Sequence, residues 1–265
     1  MRQTYIAKTL QGLEDVLADE LRNLGAGDVE VLKRAVSFTG DTAMMYAANI
    51  YLRTAIKILK PLTEFRADDV QELYDKILAF NWSDVMDVDD TFTIDNTVFS
   101  TTFTHSNYAA LKMKDALVDH FRNKFDKRPS VDKLNPTYRF NIRIKENDVS
   151  IALDSSGESL HKRGYRTETH AAPMSEVQAA GLILLSGWDP KTTLYDPMCG
   201  SGTIPIEAAL IANHIAPGLI RKTYGFQKWK DYNEFKKVEI DSIAKTICWD
   251  GMIDFAPITL RKNFN

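Results

Sequence analysis

The sequence predicts an α+β N-terminal part followed by an α/β segment of Rossmann-like type. Two observations support this prediction. Over roughly residues 1–65, strand and helix patterns follow one another in a β-α-β-β-α-β-like order, which is typical of a small ferredoxin-like unit. After residue 195, a glycine-containing turn lies between a short strand and an apolar helix, which is typical of α/β proteins that bind nucleotides.

The composition is that of an ordinary soluble globular protein. Of the 265 residues, 44% are hydrophobic and 26% are charged, and the net charge is −3. Any nucleic-acid surface must therefore be a local patch. No apolar run is long enough for a signal peptide or a membrane span, and Cys199 and Cys248 lack the spacing of a metal site or a disulfide framework. We expect a cytoplasmic protein with no metal and no membrane partner.

The first unit is predicted over residues 1–65. A strand over 4–8 precedes a helix over about 10–24, in which apolar residues recur at three- and four-residue spacing before Gly25. Two strands over 29–32 and 35–38 follow, and a second helix begins at Thr42.

The second unit is predicted over residues 66–157. Asp68 or Asp69 caps its first helix, a strand runs over 91–98, and Ser106 or Asn107 begins a longer helix. Two strands over 138–144 and 149–153, joined by a polar turn, complete a compact α+β domain.

The third segment, residues 171–265, contains the glycine turn. A helix over about 175–185 ends at Gly187, a short strand over 193–196 follows, and an apolar helix begins near Thr203. No lysine follows Gly202, so a Walker loop for ATP or GTP is disfavoured. Pro205 stands where a dinucleotide fingerprint has its third glycine, which makes NAD a poorer candidate.

S-adenosylmethionine fits the glycine turn better. It carries no phosphate, its carboxylate suits the free N–H groups at a helix start, and its ammonium suits an acid such as Asp196. The alternative to a cofactor site is a glycine-rich turn that binds no ligand. Cys199 is then simply a small residue in this loop, without a redox role.

The run from Asp196 to Ala209 resembles the first motif of the RlmL/YpsC-like RNA methyltransferases. The same family's order and spacing recur upstream and downstream, and the similarity extends to about residue 230. The runs that carry it are Arg128-Pro129-Ser130-Val131, Leu153-Asp154-Ser155-Ser156-Gly157, Leu160-His161-Lys162-Arg163-Gly164-Tyr165-Arg166, Ala172-Pro173-Met174-Ser175-Glu176 and Ala216-Pro217-Gly218, together with Trp229.

The resemblance implies that residues 66–157 form a THUMP domain, which binds RNA. It also implies transfer of a methyl group from S-adenosylmethionine to N2 of a guanine in large-subunit ribosomal RNA. The cofactor-binding residues it implies at the turn are Asp196, Pro197, Cys199, Gly200, Ser201, Gly202 and Thr203. Residues 247–250 and 253–254 resemble a second strand that ends in an acid. Asp254, or alternatively Asp250, would then hold the ribose hydroxyls of the cofactor. The alternative is that the acid is exposed to solvent in a frayed tail and binds nothing.

One expected motif does not occur in the sequence. The family's catalytic Asn-Pro-Pro-Tyr string is absent, and the nearest match, Asn135-Pro136-Thr137-Tyr138, lies in the second unit and is read as a turn. We therefore leave the catalytic residues unassigned. We expect these 265 residues to be a shortened form of the methyltransferase, inactive by themselves.

Two basic stretches are candidates for RNA contacts. Residues 112–133 hold seven Lys or Arg against four Asp, and the second stretch mixes cations with one aromatic ring. A solvated helix face is the alternative for the first stretch. The candidates are Lys112, Lys114, Lys127 and Arg128 in the first stretch and Lys162, Arg163, Tyr165 and Arg166 in the second.

Two functions other than RNA methylation remain open from the sequence. The first is a non-catalytic RNA-binding protein whose Rossmann-like part is only a scaffold. The second is a DNA adenine-N6 methylase with a similar motif.

Overall fold

The computed structural model describes residues 2–103, 106–166 and 174–251. Two short 3₁₀ helices, Trp82–Asp84 and Gly225–Lys228, accompany the main elements. In chain order these are β1 (Gln3–Lys8), α1 (Glu14–Asn23), β2 (Gly27–Leu32), β3 (Ala35–Gly40), α2 (Thr42–Tyr51), β4 (Lys57–Arg66), α3 (Val70–Ala79), β5 (Thr91–Phe99), α4 (Ser106–Phe125), β6 (Ser130–Val131), β7 (Tyr138–Lys145), β8 (Asp148–Asp154), α5 (Glu176–Ser186), α6 (Thr203–Ala212) and α7 (Glu234–Gly251).

The N-terminal elements form the predicted ferredoxin-like unit. Strands β2, β3, β1 and β4 are neighbours in that order, and each pair is antiparallel. The Asp41 carboxylate accepts the Met44 N–H at 2.9 Å and so caps α2. The predicted order of strands and helices is confirmed.

The second group of elements continues the same sheet. Strand β8 pairs with β4, β7 pairs with β8, and β5 lies parallel to β7, so that eight strands form one sheet. Asp69 caps α3 by accepting the Glu72 N–H at 2.8 Å. Strand β4 ends at Arg66, next to the boundary predicted at residue 65, and it pairs with β8 from Leu59 to Arg66, so the two groups of elements share one sheet.

One buried apolar cluster joins both groups of elements. Alternate residues of β7, from Tyr138 to Ile144, are buried, as expected for one face of a half-covered strand. They belong to one buried cluster together with residues of α1, α2, α3 and α4. Its largest fully buried members include Trp82, Tyr5, Tyr46, Phe38, Phe92, Phe121, Phe140 and Leu17.

The C-terminal part packs back onto this core. Gly218 N–H donates to the Ile50 carbonyl at 2.9 Å, and Phe226 N–H donates to the Ser155 carbonyl at 2.9 Å. The Tyr46 and Phe226 rings stack with their centroids 4.3 Å apart. Residues 215–232 are therefore anchored to the N-terminal sheet.

Two predictions for the third segment are wrong. Residues 193–196 form no strand, because no neighbouring strand in the described residues pairs with them, and an unpaired segment lacks the hydrogen bonds that define one. Residues 247–250 belong to helix α7, since a short apolar run fits a helix as well as a strand. The candidate Asp254 lies outside the described residues.

Across residues 174–251 the structure thus contains α5, α6 and α7 and no strand. No helix in the described part of the chain combines the length and the apolar character needed to cross a membrane.

Candidate functional site

Residues 196–203 form a short turn that leads into α6. The Asp196 carboxylate accepts the Met198 N–H at 3.1 Å, and Gly202 N–H donates to the Cys199 carbonyl at 2.7 Å. Gly200 and Gly202 have φ values of +52° and +76°. L-residues with a side chain rarely adopt such angles, so the turn requires glycine for its backbone conformation.

Space beside the glycines is open. A methyl group built on Gly200 would meet nothing nearer than 4.0 Å, and one on Gly202 would meet the Ile206 side chain at 3.9 Å. Gly202 is the N-cap of α6 and has no side chain to cap the helix, which leaves first-turn N–H groups for an anionic ligand group. The turn can therefore accept a ligand close to its backbone.

The structure brings the predicted cofactor residues together in this turn. Cys199 is exposed and makes no disulfide, Thr203 is buried, and Tyr195 and Met198 beside them are largely exposed. Of the predicted ribose ligands, Asp254 is outside the described residues, and Asp250 belongs to the helical backbone of α7.

Arg166 contacts the first residue of α6. Its Nη2 donates to Thr203 Oγ1 at 2.8 Å and also to the Met174 carbonyl. Its Nη1 lies 3.4 Å from a carboxylate oxygen of Glu176, the first residue of α5. The Arg166 side chain is 26% exposed and Glu176 is buried. The contacts of Arg166 thus face the methyltransferase-like segment rather than solvent.

Arg163 is buried, at 2% exposure, and does not fit the predicted RNA contact. Its Nε lies 3.5 Å from Glu207 Oε1 of α6, and its Nη1 donates to the Leu160 carbonyl at 2.9 Å. A phosphate contact needs an exposed guanidinium, and this one is enclosed by protein. The Tyr165 hydroxyl donates to the same Glu207 oxygen at 3.0 Å, so Tyr165 also faces inward.

Of the four RNA-contact candidates in this stretch, only Lys162 is exposed to solvent. Its ammonium lies 2.9 Å from the carboxylate of Glu158, four residues earlier, and such a solvent-exposed ion pair is weak.

The first basic stretch borders a groove of about 740 Å³ between α3, α4 and residues 128–131. Lys112, Lys114 and Arg128 line it, whereas Lys127 is exposed outside it. The Lys112 ammonium lies 6.0 Å from the centre of the Tyr74 ring, which also lines the groove, and 5.5 Å from the neighbouring Tyr108 ring; both are cation–π distances. The groove therefore combines cations with an aromatic surface.

The groove also contains carboxylates and a cation that we did not select. Arg122 pairs with Asp119 at 2.8 Å, and Lys114 pairs with Asp115 at 3.0 Å. The Tyr74 hydroxyl donates to Asp119 at 2.8 Å, and this hydrogen bond raises the pKa of Tyr74 to about 12. Four cations against two carboxylates leave the groove positive. Arg122 belongs to the first basic stretch but is not among the RNA-contact candidates named from it. Its spacing from Lys114 and Asp119, which puts the three on one helix face, is the signal that could have identified it.

Sequence reasoning missed a set of buried and half-buried charges near the C-terminal half of α6. Arg53 Nη2 donates to the Ile215 carbonyl at 2.8 Å, and the Glu20 carboxylate accepts the Arg53 and Thr54 N–H groups. Burial raises the pKa of Glu207 above its ordinary value, and the nearby Arg163 guanidinium opposes this shift. One signal was available: Glu207 is the single charged residue between Thr203 and Ala212.

Arg163 and Arg166 contact α6, and Arg163 also donates to the Arg53 carbonyl, so the stretch 160–166 joins α6 to the N-terminal units. Among the described residues, no group of three or more His, Cys, Asp or Glu is placed to hold a metal ion.

Three family models match the chain in succession. The RlmL ferredoxin-like domain matches residues 4–59, the THUMP domain matches residues 67–154, and the RMKL-like methyltransferase domain matches residues 163–258. Helix α6 and its glycine turn lie within the third match, and the basic groove lies within the second.

Solved structures have similar folds, and two of them are described as a methylase and a methyltransferase. A protein described as a predicted N6-adenine-specific DNA methylase from Listeria monocytogenes is 30% identical, with a TM-score of 0.84 over 93% of this chain and 64% of that chain. A protein described as a methyltransferase and complexed with SAH is 31% identical, with a TM-score of 0.82 over 93% of this chain and 65% of that one. TrmN from Thermus thermophilus, at 19% identity and a TM-score of 0.60 over 93% of this chain and 71% of that one, shares the fold.

This chain spans slightly less than two thirds of the length of the first two structures. The order of the matched domains agrees with the resemblance stated from the sequence: the chain carries an RlmL ferredoxin-like domain, then a THUMP domain, and then a segment that matches the RMKL-like methyltransferase domain.

Proposed function

We propose that the protein is an S-adenosylmethionine-dependent RNA methyltransferase that acts on N2 of a guanine in large-subunit ribosomal RNA. The observation that carries the proposal is the open turn from Asp196 to Thr203, placed at the start of α6 in a methyltransferase domain. The THUMP domain and its basic groove support RNA as the substrate class.

The residues of the turn fit S-adenosylmethionine, which supplies an electrophilic methyl group when bound. The Asp196 carboxylate suits the ammonium of the cofactor, and the uncapped first-turn N–H groups of α6 suit its carboxylate. Gly200 and Gly202 let the backbone approach the ligand, and the turn has no lysine for a phosphate. The similar protein complexed with SAH further supports this cofactor.

Transfer from a sulfonium mainly requires alignment of the acceptor nitrogen with the methyl group and the sulfur. A guanine N2 also has to leave its stacked or paired state before it can be aligned. In this chain, binding and orientation of the RNA fall to the THUMP groove, and binding of the donor falls to the turn.

The RNA surface that we propose consists of Lys112, Lys114 and Arg128 in the groove, together with the exposed Lys127 and Lys162 outside it. Flexible cations outside deep pockets give affinity for phosphates in a salt-dependent manner. Tyr108 and Tyr74 add rings beside Lys112, suited to a stacked base.

RNA binding is tested by a matched pair of double variants. Lys112→Ala with Arg128→Ala removes two groove cations, and Lys33→Ala with Lys191→Ala removes two exposed lysines elsewhere. We expect the groove variant to weaken ribosomal RNA binding about tenfold or more and to lower the slope of log affinity against log salt by about one to two. Equal effects of both variants would remove the groove from the proposal.

The reaction is tested with the complete natural gene product and labelled S-adenosylmethionine. Large-subunit ribosomal RNA and duplex DNA are offered side by side, and the modified nucleoside is identified by mass spectrometry. N2-methylguanosine in the RNA is the expected product. N6-methyladenine in DNA alone would establish the DNA methylase alternative, and RNA binding without any transfer would establish the non-catalytic alternative.

A further inference from the structure

We infer that Arg166 is a positioning residue for the cofactor turn. Its guanidinium holds the first residue of α6 in place and thereby fixes the N–H groups that the ligand meets. This inference rests on the proposed function of the turn and reassigns a residue that the sequence suggested for RNA contact.

The geometry places three acceptors around one guanidinium. Arg166 donates to Thr203 Oγ1 at 2.8 Å and to the Met174 carbonyl, and it pairs with Glu176 at 3.4 Å. Thr203 begins α6 and Glu176 begins α5, so the side chain connects the N-terminal ends of both helices. A planar fork with five N–H donors suits this arrangement, and a lysine ammonium reaches fewer acceptors in fixed directions.

The turn needs such support because its own structure supplies little. Gly200 and Gly202 impose few restrictions on the backbone, and the segment before them is not part of a sheet. No side chain caps α6. The Thr203 hydroxyl also lies 3.2 Å from Ser201 Oγ, so Arg166 acts on the turn through that hydroxyl as well.

The buried charge of Glu176 keeps Arg166 in this position. Glu176 is 3% exposed, and among the described residues its second oxygen, Oε2, has no hydrogen-bond partner. A buried carboxylate without a cation is strongly disfavoured, so the carboxylate retains the guanidinium. Proteins fix the geometry of a binding site with side chains that are themselves held in place by buried partners.

The test compares Arg166→Gln and Arg166→Lys with Arg66→Gln, a control that removes a surface arginine paired with Asp68 at 3.1 Å. Three readouts are taken on each folded chain: amide hydrogen exchange across residues 197–206 without ligand, the Kd for SAH by calorimetry, and the affinity for ribosomal RNA. We expect Arg166→Gln to exchange at least fivefold faster in the turn and to bind SAH at least tenfold more weakly. Arg166→Lys should restore part of both, and the control should change neither.

Thr203→Val provides a second route to the same contact. This substitution removes the acceptor hydroxyl with little change in volume. Its effects should not add to those of Arg166→Gln in the double variant, because both substitutions remove the same Arg166–Thr203 hydrogen bond. If Arg166→Gln does not fold, Thr203→Val alone decides the question.

The inference is overturned if exchange in the turn and SAH affinity are both unchanged in folded Arg166→Gln or Thr203→Val. It is also overturned if Arg166→Gln lowers only RNA affinity. If the wild-type chain binds no SAH while the exchange response is present, the proposed cofactor role of the turn fails and the positioning contact stands.

Discussion

Replacing Gly202 with alanine separates the conformation of the cofactor turn from general stability. Gly202 has a φ of +76°, and a methyl group there would meet nothing nearer than 3.9 Å. The cost is therefore conformational. The left-handed region costs an L-residue roughly 1–2 kcal/mol, and the stiffer unfolded chain offsets about 0.4–1 kcal/mol of it. We expect a loss of about 1 kcal/mol in the free energy of unfolding.

Gly187 is the matched control. It ends α5 with a φ of +63°, and a methyl group there would meet nothing within 4 Å. Gly187→Ala should thus cost the same free energy, within about 0.5 kcal/mol, in urea denaturation. The two variants should differ in SAH affinity: Gly202→Ala alters the N-cap of α6 and should raise the Kd at least tenfold, and Gly187→Ala should leave it unchanged. Equal Kd values for the two variants at equal stability would refute the role of the turn.

Three further predictions concern stability. Glu207→Gln leaves the Arg163 guanidinium buried without its carboxylate, and we expect a loss of about 3 kcal/mol in denaturant unfolding; an unchanged midpoint would show that Glu207 is uncharged in the fold. The raised pKa of Tyr74, about 12, means that the folded state favours the neutral phenol, so this contribution is present below pH 10 and lost as the pH rises toward 12. The stability of wild type relative to Tyr74→Phe should therefore fall over that interval, and a parallel pair of pH profiles would contradict it. Asp69→Ala removes the cap of α3 and should cost about 1 kcal/mol by thermal unfolding, whereas no shift would show that the cap is redundant.

Local patterns predicted most of the N-terminal two thirds. Strand β7 covers the predicted range 138–144, and Asp69, one of the two acids predicted as the cap of α3, accepts the Glu72 N–H. Both features depend on neighbouring residues only. The strand expected over 193–196 failed for the opposite reason. A strand exists through its neighbours, and the partners it needs are not encoded in its own four residues.

The site shows the same division. Gly200 and Gly202 predicted a turn at this point, because glycine permits the positive φ values that such turns need, and this is a local property of the chain. The position of Arg163 did not, because a cation in a polar stretch looks exposed until its partner is known. That partner, Glu207, lies in a helix more than forty residues later, and only the tertiary fold brings the two together.

The most direct test of the central claim is the structure of this chain crystallised with SAH. We expect the ligand to lie against the turn, with its carboxylate at the N–H groups that begin α6 and its ammonium near Asp196. A folded chain whose 196–203 turn stays empty at saturating SAH, with the sheet and α6 intact, would contradict the assignment of this turn as the methyl donor site.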